Sequence, residues 1–261
     1  MGIIMQGFSN DLNAHGAGLN DLNARGVDRG AYAFADSSVE AANALFRKVY
    51  QWMAVGLILT AVAAYMVASS QALLRFFYSS SVPLAVVAIA EVGLVLGLSM
   101  GINRISAGTA AMFFVLYSVL NGILCSSVLL VYTQESVYTA FLSTAGMFGV
   151  MSIYGVYTRR DLSSFGSFLT MGLFGLIIAM VVNLFMGSSR LEFVISALGI
   201  LIFLGLTAWD TWKIRQMASM LEGGEDGVPA RKAAVIGALS LYLDFVNIFL
   251  HLLRFMGKQK N

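Results

Sequence analysis

Charge is what this 261-residue chain has least of: Asp, Glu, Lys and Arg make up 11% of it, against about 25% in a soluble domain. Hydrophobic residues make up 58% and mean hydropathy is +0.79, so the chain is built for lipid. A net charge of +2, with no basic stripe interleaved with aromatics, argues against a nucleic-acid partner. One cysteine, Cys125, leaves no disulfide framework, no CxxC pair and no clustered metal-ligand spacing. No cofactor is expected. The opening "MGIIMQ" places Gln6 where a myristoylation signal needs Ser or Thr, and no cationic segment with an h-region and cleavage site follows. The first span is therefore expected to insert uncleaved.

What the chain does contain is about seven apolar runs, over residues 50–70, 82–101, 107–131, 137–157, 165–187, 191–212 and 233–256. Each is near the roughly 20 residues that a helix needs to cross a bilayer core. The runs are too long and too uniformly apolar for barrel strands of about ten alternating residues. The fold class expected is an all-α membrane protein, a bundle of seven transmembrane helices over residues 46–261. Residues 1–45, rich in Gly, Ala, Asn and Asp, read as a disordered cytoplasmic tail. Within that tail "NDLNAHG" (Asn10 to Gly16) recurs as "NDLNARG" (Asn20 to Gly26), a duplication too short and polar to stack as a repeat.

Lysine and arginine set the orientation. With seven spans, one side receives Arg25, Arg29, Arg47, Lys48, Arg104, Arg159, Arg160, Lys213, Arg215, Arg231 and Lys232, eleven in all. The other side receives five: Arg75, Arg190, Arg254, Lys258 and Lys260. The N terminus is predicted cytoplasmic and the C terminus on the far side, unless the last segment is a re-entrant hairpin.

Of the 14 acidic residues, eleven fall in the tail, the loops or the span edges, and Glu91, Asp210 and Asp244 remain. A charge at mid-bilayer costs about 2.5–3.5 kcal/mol on insertion scales, so such residues face a bundle interior, a partner or water and are functional candidates. The turn "EGGEDGVP" between the sixth and seventh spans is taken as centred near Gly227. Asp210 lies 17 residues before that point and Asp244 17 after it. The two carboxylates are thus expected at similar depth, sharing a proton and titrating as a coupled unit. At about 100° per residue, Gly237, Ser240, Asp244, Asn247, His251 and Arg254 form one stripe. The stripe suits one wall of a hydrated path, with Asp244 at its narrow part, and equally a tightly packed helix interface. His251 alone says little, since a lone histidine near a helix end is more often solvated or hydrogen-bonded than a ligand.

Glu91 stands mid-span in "VAIAEVGLVLG" without a basic residue within two turns of its own helix. A structural role and a place on an ion path stand equal for it. Gly93, Gly97 and Gly101 form a small-residue ridge of the kind that lets helices approach closely. That ridge points about 200° away from Glu91.

Three stretches carry a resemblance: "LTAWDTWKIRQM" (Leu206 to Met217), "GALSLYLDFVNIFLHLLRFMG" (Gly237 to Gly257) and "AGMFGVMSIYGVYTRRDLSSFG" (Ala145 to Gly166). Over about residues 45–257 the chain resembles the Bax inhibitor-1 family, its bacterial YccA-like branch in particular. The resemblance implies a seven-helix protein, in the inner membrane of a bacterium, whose aspartate pair senses pH and gates a calcium leak. Asp210 and Asp244 stand at the positions of that pair and would meet calcium transiently. The family usually has "YDT" at the first site, whereas Trp209 stands here and offers no phenolic hydroxyl. It also implies an arginine latch near the cytoplasmic end of the second helix, for which Arg104 is the residue present; a solvated loop arginine is the plainer reading. The tail before about residue 45 has no family counterpart that its sequence reveals.

Not an enzyme is the expectation. Intramembrane aspartyl proteases pair YD with GxGD, and Leu243 stands where the second motif needs glycine. A retinal pump needs a lysine inside its last helix, and none lies between Lys232 and Lys258. The expected function is a pH-sensitive calcium leak, with lipid and calcium ions as partners. Calcium takes six to eight oxygens; the aspartates supply at most four, and Asn247, Glu91, backbone or water would complete the shell. The alternative is a regulatory protein that binds another membrane protein, such as a quality-control protease, with the aspartates holding helices together.

Overall fold

The computed structural model describes residues 40, 42–101, 104–219 and 227–260. Among these, eight helices follow one another: α1 (Ala42–Ser69), α2 (Gln71–Tyr78), α3 (Val82–Gly101), α4 (Ala107–Val131), α5 (Gln134–Tyr157), α6 (Ser163–Met186), α7 (Ser189–Ser219) and α8 (Val228–Met256). All seven expected spans fall on helices, and no strand longer than one bridge occurs among the described residues. Six helices are long and apolar enough to cross a membrane alone. The seventh unit is a pair, α2 with α3, bent by 81° at the break between them. The hydropathy reading left α2 out because it is only eight residues long and amphipathic.

Local chemistry places the helix ends. Ser106 accepts the Thr109 N–H at 3.0 Å and Thr133 accepts the Ser136 N–H at 3.3 Å, so α4 and α5 each begin at a residue that satisfies a first-turn donor. Gly187, in the left-handed region at φ 58°, ends α6. Pro229 sits in the first turn of α8, where a missing N–H costs nothing. At 31 and 29 residues, α7 and α8 run about 46 and 43 Å, well beyond a core of about 30 Å. They extend past the apolar runs toward the turn that joins them, where charged residues such as Lys213, Arg215, Arg231 and Lys232 continue each helix.

Burial ranks the helices: 61% of the most apolar window of α8 is buried against 11% for α6. The last helix in sequence is therefore the central one. It packs most extensively on α7, and also on α5 and α4, while α6 lies outside α7. Helix α1 reaches α8 where Val49 and Ile214 close over Gly237. Large side chains such as Leu184, Phe185 and Met100 are exposed, as expected of a lipid-facing surface.

Alternation of the helices puts the α3–α4, α5–α6 and α7–α8 turns at one end, with the start of α1. The α4–α5 and α6–α7 turns lie at the other end. The C-terminal segment joins that second end: Gln259 bridges Tyr132 in antiparallel fashion, the Thr133 N–H donates to the Lys258 carbonyl at 3.0 Å, and the Lys260 N–H donates to Val131 at 2.8 Å. Helix α8 is unbroken, so no hairpin returns the chain to its starting side.

Two expectations change here. Residues 42–45, given above to the tail, are the first turn of α1, and Ala44 and Leu45 are buried. The sequence boundary fell late because an alanine-rich first turn looks like polar tail. The remainder of the tail before Glu40, with its duplication, lies outside the described residues. The glycine ridge does not form a close helix contact: a Cβ at Gly93 would meet nothing within 4 Å, and those at Gly97 and Gly101 would meet only Phe113 and Ile105 at 3.9 Å. Both Gly93 and Gly97 are exposed, because α3 touches the bundle mainly through α4.

Candidate functional site

The α7–α8 contact sets the geometry of the aspartates. Along it Gly199 meets His251, Ile214 meets Gly237, Asp244 meets Thr207 and Asp210 meets Ser240. Asp244 therefore stands level with Thr207, about one helical turn, or roughly 5 Å, further from the α7–α8 turn than Asp210. The equal-depth expectation is off by that turn. Its cause is arithmetic: "EGGEDGVP" spans Glu222 to Pro229, so its middle lies before Gly227.

The two carboxyls are nonetheless neighbours, since the charge of Asp210 acts directly on Asp244. Asp244 is 4% exposed and its Oδ2 has no hydrogen-bond partner among the described residues. Beside it, the Thr207 hydroxyl neighbours both the Asp244 carboxyl and the Phe203 carbonyl, to which it can donate at 2.8 Å. Asp210 is half-buried, accepts from the Ser240 hydroxyl and has Lys213 as its cationic neighbour. The Lys213 ammonium in turn lies 5.1 Å above the Trp209 ring, where the ring face attracts it. Trp209, which cannot offer a hydroxyl, thus steadies the cation next to Asp210. Arg104 is exposed in the α3–α4 turn, and the cation acting on Asp210 is Lys213 rather than Arg104.

The polar stripe of α8 divides between two neighbours. Asp244 and His251 face α7: the imidazole stacks on Phe203 with centroids 5.8 Å apart, is 2% exposed, and has an unpartnered Nδ1 among the described residues. Gly199 makes room for it, since a Cβ there would lie 2.6 Å from Nε2. Asn247 and Arg254 instead line a cavity on the α3–α4 side. Asn247 donates to its own helix, to Leu243 at 2.8 Å. The stripe covers about 80° from Asp244 to Arg254 at helical spacing, wide enough to address two partners.

Glu91 belongs to that second face. It lines a cavity of about 440 Å³ shared with Tyr117, Asn121, Cys125, Asn247 and Arg254. Glu91 is 8% exposed and accepts from the Asn121 amide, while its Oε1 has no partner among the described residues. The Tyr242 hydroxyl donates to Asn121 Oδ1 at 3.1 Å and lies 2.6 Å from Thr60 Oγ1. A buried polar chain therefore runs from α1 through α8 and α4 to Glu91. Thr60, Tyr117, Asn121 and Tyr242 escaped the sequence reading, which sorted only acids. An amide in the apolar run "SVLNGIL" was the available signal, because polar side chains within spans join helices.

Asp210 and Asp244 thus form one cluster and Glu91 with Asn247 another, on opposite flanks of α8. Among the described residues no group of three His, Cys, Asp or Glu forms a metal cage. Adjacent carboxyls of this kind can take up and release protons.

Comparison with known proteins agrees with this architecture. The family model described as "Inhibitor of apoptosis-promoting Bax1" matches residues 42–261. The chain is 44% identical over 213 residues to the inner membrane protein YbhL of Escherichia coli K12, covering 82% of this chain and 91% of that one. An uncharacterized protein of Borreliella burgdorferi is 44% identical over 219 residues, covering 84% and 94%. A protein of Caulobacter vibrioides is 39% identical over 250 residues, covering 92% and 98%; that coverage includes part of the segment before Ala42, which therefore does have a counterpart in a relative. With the family match spanning every helix described, the chain is an integral membrane protein that belongs to the Bax inhibitor-1 family.

Proposed function

We propose that the chain is a calcium-permeable leak of a bacterial inner membrane, opened and closed by protonation of Asp210 and Asp244. The observation that carries this reading is the placement of Asp244, buried inside the α7–α8 contact with a second carboxyl as its charge neighbour. A protonated Asp244 can donate to Thr207 while Thr207 keeps its bond to the Phe203 carbonyl, whereas an ionised one must draw the Thr207 hydrogen away from that carbonyl. The protonated pair thus holds α7 to α8. When both carboxyls ionise they repel, by about 4 kcal/mol for unit charges 4 Å apart at an effective dielectric of about 20, and the helices separate at that level.

Calcium would meet the two carboxylates with the Ser240 and Thr207 hydroxyls and water completing the shell. Asn247 and Glu91 face the other flank of α8 and supply a separate polar station nearer the second end. Such partial coordination suits passage rather than storage. The lysine and arginine count places the start of α1 and the α7–α8 turn at the cytoplasm, so the pair guards the cytoplasmic half. Arg104, exposed there, serves as a latch only in a state where α3 moves inward; Lys213 holds that place in the arrangement described.

The test is reconstitution in liposomes holding a calcium dye, with influx measured at about pH 6, 7 and 8 across the titration of the coupled pair. Wild type is expected to conduct more as pH rises, and Asp210→Asn with Asp244→Asn to lose that dependence. A mutant that keeps the wild-type pH response sinks the gate. No flux above protein-free liposomes at any pH turns the reading to a protein that binds another membrane protein.

A further inference from the structure

A second cavity, of about 450 Å³, opens between α1, α4, α5 and α8 on the side away from the aspartates. Leu57, Ala61, Leu129, Phe141 and Phe249 wall it, and Gln134 stands at its end. It runs from the middle of α1 to the α4–α5 turn, because Leu129 lies in the last turn of α4 and Gln134 opens α5. Its size is that of an ordinary small-molecule site, but it lies within helices that cross the bilayer and its walls are hydrocarbon.

The end of this groove is basic. The C-terminal segment is strapped to the α4–α5 turn by the bridge at Gln259, and the strap carries Lys258 and Lys260 to the groove mouth. The Lys260 ammonium donates to the carbonyl of Leu129, a groove residue, at 2.7 Å. That bond leaves two of its three N–H groups for a ligand. Lys258 is exposed. Glu135 is the one acid on the adjoining turn, so the mouth carries more positive than negative charge.

We propose that this groove holds one acyl chain of an anionic phospholipid whose phosphate is met by Lys258 and Lys260. The bilayer supplies the apolar occupant at the right depth, and lysines at the interface favour an anionic headgroup. Cys125, Val128 and Val246 wall both this groove and the Glu91 cavity. The bound chain therefore lies one side chain away from Glu91, on the lipid side of the polar station.

Native mass spectrometry of the full chain, loaded with equal amounts of phosphatidylglycerol and phosphatidylcholine of identical acyl chains, tests the assignment without any ion flux. Wild type should retain phosphatidylglycerol in excess. Lys258→Gln, which leaves the Lys260 bond untouched, should lower that excess about fivefold, and Lys258→Gln with Lys260→Gln by about fivefold again. Ala61→Trp, at an exposed position of α1, should fill the groove and reduce retention of both lipids. Equal retention of the two lipids by wild type overturns the headgroup site, and unchanged retention in Ala61→Trp overturns the groove.

Discussion

Two glycine-to-alanine substitutions, in neighbouring helices, should move stability in opposite directions. At Gly122 of α4 an added Cβ would lie 2.6 Å from the Thr60 carbonyl oxygen, 2.6 Å from Ala63 Cβ and 3.1 Å from Thr60 Cα. Two of those three contacts are backbone, so no side chain can rotate away. Ordinary contact begins at 3.4 Å, and α1 must withdraw from α4 by about 0.8 Å, the difference from the closest approach. Thr60 moves with it and stretches its 2.6 Å contact to Tyr242. Overpacking of this kind costs about 1–3 kcal/mol and a weakened buried hydrogen bond about 1 kcal/mol more, giving roughly 2–4 kcal/mol. For a chain of this size that corresponds to a Tm lower by about 4–16 °C. Gly93→Ala meets nothing within 4 Å and gains about 0.5–1 kcal/mol from helix propensity, raising Tm slightly. Thermal unfolding in detergent, followed by tryptophan fluorescence and circular dichroism, measures both. If Gly122→Ala melts with or above Gly93→Ala, the α1–α4 packing described here is wrong.

Gly199→Ala should cost about 1–3 kcal/mol through the His251 imidazole, and His251→Ala should cancel most of that cost; a double-mutant cycle on Tm with no coupling would remove the Gly199–His251 contact. Thr60→Val keeps the volume of α1 but takes away one of the two partners of Tyr242, Asn121 remaining, so a loss of about 1–3 kcal/mol is expected, and a neutral result would show that the Thr60 hydroxyl carries no stability. Asp161 Oδ1 accepts the Ser163 N–H at 2.8 Å at the start of α6, and that backbone hydrogen bond holds its carboxyl below the usual carboxylate range. Its anchoring of α6 is therefore present at neutral pH and lost as pH falls through the lowered folded value. Hydrogen exchange in the first turn of α6 should speed up in Asp161→Ala at neutral pH; unchanged exchange would remove Asp161 as an anchor.

The spans were legible because each is decided by a local quantity, the length of an apolar run, and lipid enforces helices wherever such a run crosses. The aspartates were legible for the same reason: a carboxyl in "YLDFVN" or "AWDTW" stands out against its own neighbours. What failed depends on which helix lies opposite. The Gly93 ridge has the spacing of a contact surface, yet no helix covers it, and spacing holds no information about a partner. The stripe on α8 fits a path wall and a packed interface equally from its spacing, and it divides between the two: α7 takes Asp244 and His251, and the cavity takes Asn247 and Arg254. The register error between the aspartates came from a turn centre misplaced by less than two residues, and an antiparallel pair doubles any such error. Thr60, Asn121 and Tyr242 were invisible because each is unremarkable alone and becomes a network only when α1, α4 and α8 meet.

Helix α8 joins the two polar clusters mechanically. Tyr242 and Asp244 are two residues apart, one tied to α1 and α4 through Thr60 and Asn121, the other pressed against α7. A close-packed interior does not yield continuously, so a displacement of α8 away from α7 must be taken up on the opposite flank. There the yielding element is the cavity of about 440 Å³ beside Glu91, not the tight contacts of Gly122 and Gly56 with α1 and α4. On the proposed gating, separation of the aspartates and a change in the Glu91 cavity are then one movement. A spin-label distance between α7 and α8 and one between α3 and α8 should therefore change over the same pH interval in wild type, and neither should change in Asp210→Asn with Asp244→Asn. Distances that shift at different pH, or only one that shifts, would show that the two flanks of α8 move independently.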